Sequence, residues 1–426
     1  MKIVITGASG FIGCQIVPLL REGGADLLLV GRDPQALARQ FPDLPVSSYE
    51  ELERRGKGYD ALVHLAVRNN DKPGTLDDFR AVNVELLEKI AMAARTAGIG
   101  VFVNITTLHA QAPGADPYGR SKAEAEALLN GFTGLRVVHL RLPAVYGAEY
   151  RGKLAVLNRV PAPLRPLAFR LLSAIKPTVH VKLVAAAIRE EVGRSLSPAP
   201  VPVPAPVPAP STPGSQDASD PEAASSERIV SDAQRGNGAY TVLRRSIDIA
   251  FALFVILFLW WVLLAAWVAV RLSSPGPAIF TQERVGRHAT PFTCYKFRTM
   301  HMGTRQAGTH ELTAASITRT GAFLRKTKID ELPQIWNLLR NQLSLVGPRP
   351  GLPVQTRLTE ERMKRGVLDI PPGITGWAQI HNVDMSDPER LARLDAQYVA
   401  LRSAALDVKI ILATARGKGQ GDKLGT

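Results

Sequence analysis

The sequence predicts an α/β protein in its first half, joined by a Pro-rich linker to a mainly helical (α+β) domain with one long apolar helix. Short apolar runs alternate with helical patterns over residues 1–194, which is typical of a parallel sheet covered on both faces by helices. A proline-rich and then polar stretch occupies 195–238, and an uncharged apolar segment lies near the start of 239–426. We therefore expect two folded domains and a linker.

Composition limits the kinds of partner. The 426 residues include 52 Lys and Arg against 38 Asp and Glu, a net charge of +14. Such an excess suits nucleotides, nucleic acid or anionic lipids. The sequence has no nucleic-acid-binding motif, so we expect nucleotides and anionic membrane lipids instead. The two cysteines form no disulfide framework, and the N-terminus lacks signal-peptide features, which favours a cytoplasmic first domain. The oligomeric state is unknown from the sequence.

Five short runs have the composition of buried strands. Each is aliphatic or β-branched, and helical patterns such as Phe79–Ala97 lie between them. The five are Lys2–Thr6, Leu27–Val30, Ala61–Leu65, Val101–Ile105 and Arg136–Leu140.

The first strand leads directly into a glycine-rich loop, which an apolar helical pattern follows. Its glycines allow a tight turn, close approach of the backbone to a pyrophosphate and close helix packing. The N–H groups at the start of the helix would face the phosphates. We expect dinucleotide binding by Gly7, Ser9, Gly10, Phe11, Ile12 and Gly13.

The end of the second strand indicates which dinucleotide binds. A carboxylate at position 31 would bind the ribose hydroxyls of NAD, whereas Gly31 followed by Arg32 leaves room and charge for a 2′-phosphate. We therefore expect NADP(H) in preference to NAD.

Tyr118 and Lys122 are four residues apart on a predicted helix, so they share one face. A tyrosine with its usual pKa of ~10 exchanges protons only with a cation beside it, which Lys122 would supply. The strand that precedes this helix ends in Thr106 and Thr107.

These motifs, with VHLA at 63–66 and Asn83, resemble the extended short-chain dehydrogenase/reductase family that modifies nucleotide sugars. The resemblance covers residues 1–192 and implies a Rossmann-like sheet. The activity it implies is an NADP(H)-dependent 4-ketoreductase acting on a UDP-4-keto-6-deoxy-N-acetylhexosamine; the alternatives are a 4-epimerase with NAD or an inactive nucleotide-binding regulatory module. The residue roles it implies are Tyr118 as catalytic acid/base, Lys122 as its partner and a cofactor contact, Thr107 or alternatively Thr106 as the orienting hydroxyl, and Leu65 and Ala66 beside the cofactor.

The linker begins with alternating proline, which excludes a helix or a central strand and favours an extended spacer. The polar, small residues after it predict disorder up to residue 238.

Residues 249–270 carry no charge, and as a straight helix they would span ~33 Å, enough for a bilayer core. We expect a membrane-embedded helix over 247–271.

Asp330 and Glu331 form an acidic pair that we place near a helix N-cap, because Pro333 suits a first helical turn. Such a pair, with basic residues and a divalent cation, could hold a diphosphate against a carboxylate that attacks phosphorus. The expected phosphate-binding residues are Lys296, Arg298, Arg325 and Arg349.

The blocks KFRTM, KIDELPQ, LVGPRP and PPGITGW are similar to those of the bacterial sugar transferases, small monotopic phosphoglycosyl transferases. The resemblance, over about 240–415, implies Asp330 as nucleophile, Glu331 as its acidic partner and Mg²⁺ bound by both. It also implies a ping-pong reaction that starts surface polysaccharide assembly. A UDP-sugar would give UMP and a phosphosugar-enzyme, and polyprenyl (undecaprenyl) phosphate would accept the phosphosugar.

The relatives usually carry Ser-Pro in the middle of the apolar helix, and this sequence has none there. Both domains need cytoplasmic substrates, so we expect a re-entrant helix and both domains on the cytoplasmic face of the bacterial inner membrane. Arg244, Arg245 and Arg271 flank the segment at both ends, consistent with this topology.

Overall fold

The computed structural model describes residues 1–69, 74–111, 116–196, 225–303 and 317–419. The chain forms two compact units. Unit 1 comprises Met1–Pro161 and Thr178–Asp232, and unit 2 comprises Ala162–Pro177 and Ala233–Thr426.

Unit 1 is built on a seven-stranded parallel sheet, and all five predicted strands are present in it. Its strands are β1 (Lys2–Thr6), β2 (Asp26–Val30), β3 (Val46–Ser47), β4 (Ala61–His64), β5 (Val101–Thr107), β6 (Arg136–Leu142) and β9 (Ser225–Ile229). They lie in the order β3-β2-β1-β4-β5-β6-β9. A separate parallel pair is formed by β7 (Ala144–Tyr146) and β8 (Thr178–His180).

Helices cover both faces of this sheet, as predicted. Ile3 and Ile5 of β1 face one apolar cluster with Ile16 and Ile188, whereas Val4 faces the other. The helices are α1 (Gly13–Glu22), α2 (Pro34–Gln40), α3 (Leu52–Arg55), α4 (Leu76–Arg80), α5 (Leu86–Thr96), α6 (Pro117–Asn130) and α8 (Val181–Leu196), with a π-helical turn at Ala81–Glu85 and 3₁₀ helices at Leu108–Gln111 and Gly152–Arg159.

Part of the predicted linker is folded. Residues 195 and 196 end α8, and β9 pairs with β6, whereas 197–224, with the proline tract, lie outside the described residues. Arg228 of β9 pairs with Glu190 and Glu191 at 2.8 and 3.0 Å. A strand held by ion pairs has no apolar alternation, and for this reason the sequence pattern missed it.

Unit 2 begins earlier than predicted, with a 3₁₀ helix at Ala162–Leu164 and α7 (Arg165–Ile175). Short strands pair as β10 (Ile279–Val285) with β11 (Pro291–Phe297), antiparallel, and as β12 (Ser344–Val346) with β13 (Gly373–Thr375), parallel. The helices are α9 (Gly238–Phe258), α10 (Trp260–Ser273), α11 (Arg319–Thr327), α12 (Ile335–Leu339), α13 (Thr356–Lys364), α14 (Trp377–Ile380), α15 (Pro388–Leu401) and α16 (Ala404–Ala415), with 3₁₀ helices at Arg287–Ala289, Ile329–Gln334 and Val367–Asp369.

The apolar segment is a bent pair rather than one helix. α9 and α10 meet at Leu259 at 70°, and together they have the length and composition of a membrane span, whereas no single helix among the described residues does. The bend occurs without proline, and the indole N–H of Trp261 donates to the Phe258 carbonyl at 3.1 Å. A side-chain donor at that position helps to satisfy the backbone where the helix breaks.

Arg244 and Arg245, predicted as flanking charges, bind backbone within unit 2. Arg244 donates to the Ser344 hydroxyl at 2.9 Å and to the Val346 carbonyl, and Arg245 donates to the Leu339 carbonyl at 2.8 Å. They fasten the start of α9 to β12 and to the end of α12.

Candidate functional sites

The glycine-rich loop of unit 1 makes a close backbone contact with the residues that follow β4. Gly7 follows β1 with a φ of +76°, and a Cβ there would lie 2.4 Å from the Ala66 nitrogen. A Cβ on Gly13 would lie 2.5 Å from the Gly7 carbonyl oxygen. The loop therefore needs glycine at both positions, and it lies against Leu65 and Ala66.

This contact lies where the strand order reverses. β1 has β2 on one side and β4 on the other, and Gly7 and Leu65 immediately follow the carboxyl ends of β1 and β4. Ligands of open parallel sheets bind in the crevice at such a switch point. The start of α1 is next to it, and its N-cap residue Ile12 makes no side-chain cap.

Tyr118 and Lys122 lie one turn apart on α6, whose N-cap Asp116 accepts from the Tyr118 and Gly119 nitrogens at 3.3 and 3.2 Å. Lys122 is only 2% exposed. Burial lowers its pKa to about 8, although Glu126 acts in the opposite direction. The ammonium is therefore still mostly charged at pH 7, in a dry position where its field is strong.

Thr106 and Thr107 have different environments at the end of β5. Thr106 donates to Glu126 at 2.6 Å, and Glu126 in turn accepts from the buried Arg141. This bonding fixes Thr106 within the packing of α6 against β6, so the orienting role fits the half-buried Thr107 better.

Asn83, one of the residues on which the resemblance rests, supports the site through its side-chain hydrogen bonds. Its side chain accepts from the Arg68 nitrogen at 2.9 Å and donates to the Ser121 hydroxyl at 3.1 Å. The loop after β4 is thereby tied to α6. Arg32 is exposed at the end of β2, and Asp33 beside it caps α2 through the Ala36 nitrogen.

In unit 2 the acidic pair lies near a helix N-cap, as predicted, but in the first turn of a 3₁₀ helix between α11 and α12. Lys328, with a φ of +58°, ends α11, and the 3₁₀ helix accommodates Pro333 before α12 begins at Ile335. The left-handed backbone of Lys328 changes the direction of the chain after α11, and both carboxyls lie within the next three residues.

Glu331 is neutralised by two cations. Lys296 donates to its Oε1 at 2.7 Å, and a guanidinium nitrogen of Arg349 lies 3.7 Å from the same oxygen. Burial would raise the pKa of Glu331, but Lys296 and Arg349 overcome it and hold the pKa at about 2. Glu331 is therefore a permanent anion that is already paired.

The pKa of Asp330 is shifted in the opposite direction. Burial, and then the charge of Glu331, raises its pKa to about 6, against the effect of Lys296, Arg325 and Arg349. Neighbouring carboxylates whose pKa values are pushed apart are a feature of catalytic pairs. The charged form of Asp330 is therefore the poorly stabilised one of the two carboxylates.

The predicted phosphate-binding residues are not equivalent. The structure brings Lys296 and Arg349 to Glu331. Arg325 lies near Asp330 and has a buried guanidinium nitrogen without a hydrogen-bond partner among the described residues. Arg298 is instead used by the loop after α10, because it donates to the Pro275 and Ser274 carbonyls at 2.6 and 2.8 Å.

Sequence reasoning missed three buried residues that position these cations. Asn337 bonds the Thr293 carbonyl at 2.7 Å and so holds β11, with Lys296, against α12. Arg362 donates to the Arg349 carbonyl at 2.8 Å and pairs with buried Asp395 at 2.7 Å. The one available signal was the polar Asn337 within the apolar run of α12.

The glycines of the LVGPRP and PPGITGW blocks allow backbones to touch. A Cβ on Gly373 would lie 2.1 Å from the Gly347 nitrogen, and one on Gly376 would lie 2.2 Å from the Gly347 oxygen. This packing fixes the segment that carries Arg349, two residues after Gly347.

Two family models match the chain. "Bacterial sugar transferase" matches residues 239–419, and "NAD dependent epimerase/dehydratase family" matches residues 3–188.

Several curated proteins are similar to the second half. An uncharacterized sugar transferase, EpsL, of Bacillus subtilis (strain 168) is 41% identical over 175 residues, which are 41% of this chain and 86% of that protein. The UDP-glucose:undecaprenyl-phosphate glucose-1-phosphate transferase of Escherichia coli (strain K12) is 35% identical over 187 residues, 42% of this chain. This chain spans only 40% of the length of the E. coli protein.

Solved structures resemble the first half. The UDP-glucose 4-epimerase of Thermus thermophilus with NAD is 22% identical, with a TM-score of 0.36 over 45% of this chain and 74% of that chain. The UDP-N-acetylglucosamine 4-epimerase of Bacillus cereus is 21% identical, with a TM-score of 0.36 over 46% of this chain and 72% of that chain.

Proposed function

Because this chain belongs to the bacterial sugar transferase family and also carries an NAD-dependent epimerase/dehydratase domain, we propose that unit 2 transfers a sugar 1-phosphate from a UDP-sugar to polyprenyl phosphate. The named activity of the E. coli relative supports this choice of donor and acceptor. The observation that carries the proposal is the acidic pair, in which Glu331 is neutralised by Lys296 and Arg349 while Asp330 is not.

The proposed reaction has two displacements at phosphorus. An oxygen of the Asp330 carboxylate attacks the sugar-proximal phosphorus, the bond from that phosphorus to the bridging oxygen breaks, and UMP leaves with the electron pair. A phosphate oxygen of the lipid then attacks the same phosphorus, and the bond to Asp330 breaks. Asp330 is regenerated, and the product is a polyprenyl diphosphate-linked sugar that begins surface polysaccharide.

Cations near the pair suit the charge that develops. Arg325, Lys296 and Arg349 all act on Asp330, so a diphosphate placed there would meet positive charge on its oxygens. Because Glu331 already pairs with Lys296 and Arg349, it holds both cations in place before the substrate arrives.

Mg²⁺ fits this donor set. No cluster of three or more His, Cys, Asp or Glu side chains occurs in the parts of the chain that the structure describes. Mg²⁺, however, commonly binds through one or two carboxylates and the phosphates of the substrate. Asp330 and Glu331 would hold the ion, which would supply charge neutralisation on the diphosphate.

The helix pair α9 and α10 is proposed to enter the bacterial inner membrane and return to the cytoplasmic face. Its 70° bend supports re-entry. Large apolar residues on both sides of the bend are exposed, including Leu257 at 63%, Phe258 at 64% and Trp261 at 59%. Side chains of this kind suit a hydrocarbon surface, and re-entry keeps both units with their cytoplasmic substrates.

Unit 1 is proposed to be an NADP(H)-dependent 4-ketoreductase that supplies the donor. The glycine contact at Gly7 and Gly13 fits a dinucleotide, and the exposed Arg32 fits a 2′-phosphate. NADPH would supply the hydride. The Tyr118 phenol would donate a proton to the carbonyl oxygen, which becomes the new hydroxyl. The Lys122 ammonium would stabilise the phenolate that remains, and Thr107 would orient the carbonyl.

The transferase is tested by incubating the full chain in detergent with UDP-sugars and no acceptor. The expected result is release of at most one UMP per chain and a phosphosugar that remains attached to the protein. Asp330→Asn should abolish both, whereas Asp369→Asn, an exposed carboxyl of the same unit, should abolish neither. UMP release by Asp330→Asn at the unmodified rate would refute the proposal.

The reductase is tested with the same full chain, NADPH and a UDP-4-keto-6-deoxy-N-acetylhexosamine. Oxidation of NADPH that is lost in Tyr118→Phe supports it. Interconversion of UDP-sugar 4-epimers with no net NADPH oxidation would identify the epimerase, and neither activity would leave a nucleotide-binding regulatory module.

A further inference from the structure

Helix α7 exposes an apolar stripe that the proposed function does not use. Leu164, Leu167, Leu171 and Ile175 are 54%, 58%, 53% and 46% exposed. Their spacing of three, four and four residues puts them on one helical face. Leu164 is the N-cap of this eleven-residue helix, and the other three belong to it. Four large aliphatic side chains on one exposed face are unusual for a surface in water.

The opposite face of α7 is fixed within unit 2. Gln234 donates to the Ser173 carbonyl at 2.6 Å, and Asn237 donates to the Ser173 hydroxyl at 3.0 Å. Asn237 is also the N-cap of α9, where it accepts from the Tyr240 nitrogen. The stripe is therefore held outward by the residues that begin the apolar helix pair.

The charge of the segment that carries α7 has one sign. This part of unit 2, Ala162–Pro177, contains three basic residues and no Asp or Glu. The three, Arg165, Arg170 and Lys176, belong to α7 or follow it directly. A helix with one apolar face and basic residues around it is typical of segments that lie in the plane of an anionic membrane surface.

We propose that α7 is a second membrane-binding element, which lies on an anionic bilayer surface next to the point where α9 enters. The inference rests on the proposed membrane insertion of unit 2. Contact between α7 and the N-cap of α9 makes the two apolar surfaces neighbours, and Val242 in the second turn of α9 is 66% exposed. Basic and apolar groups together favour lipid over a protein partner.

The test places an environment-sensitive fluorophore at one introduced cysteine of the full chain, in a Cys14→Ser background in which the remaining Cys294 is only 3% exposed. The positions are Leu171→Cys on α7, Leu257→Cys on α9 and Met92→Cys on α5 of unit 1, which is 44% exposed and serves as the matched control. Each protein is reconstituted in vesicles of equal parts phosphatidylcholine and phosphatidylglycerol. Spin-labelled lipid quenches labels in the membrane, and iodide quenches labels in water.

We expect lipid quenching at 171 and 257, and iodide quenching at 92. Quenching at 171 should weaken without phosphatidylglycerol, and also in Arg170→Gln/Lys176→Gln, because each basic residue near the surface contributes roughly fivefold to binding. A label at 171 that only iodide quenches, or that neither agent reaches, overturns the assignment, the latter because protein would then cover the stripe. Loss of lipid quenching at 257 alone refutes membrane insertion of the helix pair, and with it the place of α7 beside an inserted α9, while lipid contact of α7 itself stands. Loss at both positions refutes both.

Discussion

The pKa of Asp330 should control the first half-reaction, and two substitutions should move it in opposite directions. Its value of about 6, against an ordinary 3.8, corresponds to about 3 kcal/mol between the charged and neutral forms. In the proposed reaction the attacking group is the carboxylate and Mg²⁺ would enter with the donor. UMP release at donor concentrations below KM, where the pH profile reports the free protein, should therefore fall as pH falls through 6. About nine-tenths of the chains would be ionised at pH 7 and about one-tenth at pH 5.

Glu331→Gln removes the like charge that raises this pKa, so the midpoint of the profile should move to lower pH, by on the order of one unit. It should stay above 3.8, because burial is the larger cause. Lys296→Met removes a cation that stabilises both carboxylates, so its midpoint should move above 6. Both variants should also be slower, but the midpoint is independent of the plateau rate.

The assay is UMP release in a rapid-mixing experiment, with donor and no acceptor, over a series of pH values. Lys326→Met is the matched control, because this exposed cation is not among the main causes of the raised pKa of Asp330 and should leave the midpoint near 6. A lower midpoint in Lys296→Met, or a higher one in Glu331→Gln, would show that the division of roles between the carboxyls is wrong.

Three further results are expected. Because folding raises the pKa of Asp330 from 3.8 to about 6, the protein loses stability as pH rises between these two values; the loss is complete above 6 and absent below 3.8. Asp330→Asn should therefore raise the thermal unfolding temperature above pH 7, and a gain that persists at pH 3 would contradict this. Gly321→Ala should lose about 1–3 kcal/mol or fail to fold, since its Cβ would lie 2.0 Å from the Thr299 oxygen. Gly193→Ala within α8, whose Cβ would meet nothing within 4 Å, should be at least as stable as the parent chain. Arg32→Glu should weaken NADPH binding by about tenfold or more in a fluorescence titration and spare NADH; an equal loss for both would remove Arg32 from the 2′-phosphate site.

Much of unit 1 could be predicted because its signals are local. A run such as Lys2–Thr6 is a buried strand in any parallel sheet, and Gly7 and Gly13 are needed for contacts a few residues away in space. Strand β9 could not be predicted in this way. Its five residues include Glu227 and Arg228, and their partners lie in β6 and α8, so only the folded sheet identifies it.

In unit 2 the motifs located the acidic pair, but they did not separate its members. Glu331 and Asp330 are adjacent in the sequence. Only the positions of Lys296 and Arg349 make Glu331 a paired anion and leave the charged form of Asp330 poorly stabilised. Arg298 stands two residues from Lys296 and looks equivalent in the sequence, yet it binds the loop after α10. A sequence pattern does not distinguish one basic residue of a motif from another, whereas the folded structure gives each of them different partners.

The two units exchange pieces across the linker. Helix α7 precedes residues 197–224 but belongs to unit 2, and strand β9 follows them but belongs to unit 1. A protease site engineered into 197–224 should therefore give fragments that complement each other and co-purify after cutting. The same exchange means that the gene cannot be divided there into two independently folding products. Each half would lack an element of its own fold, so both units must be encoded by one gene to fold completely.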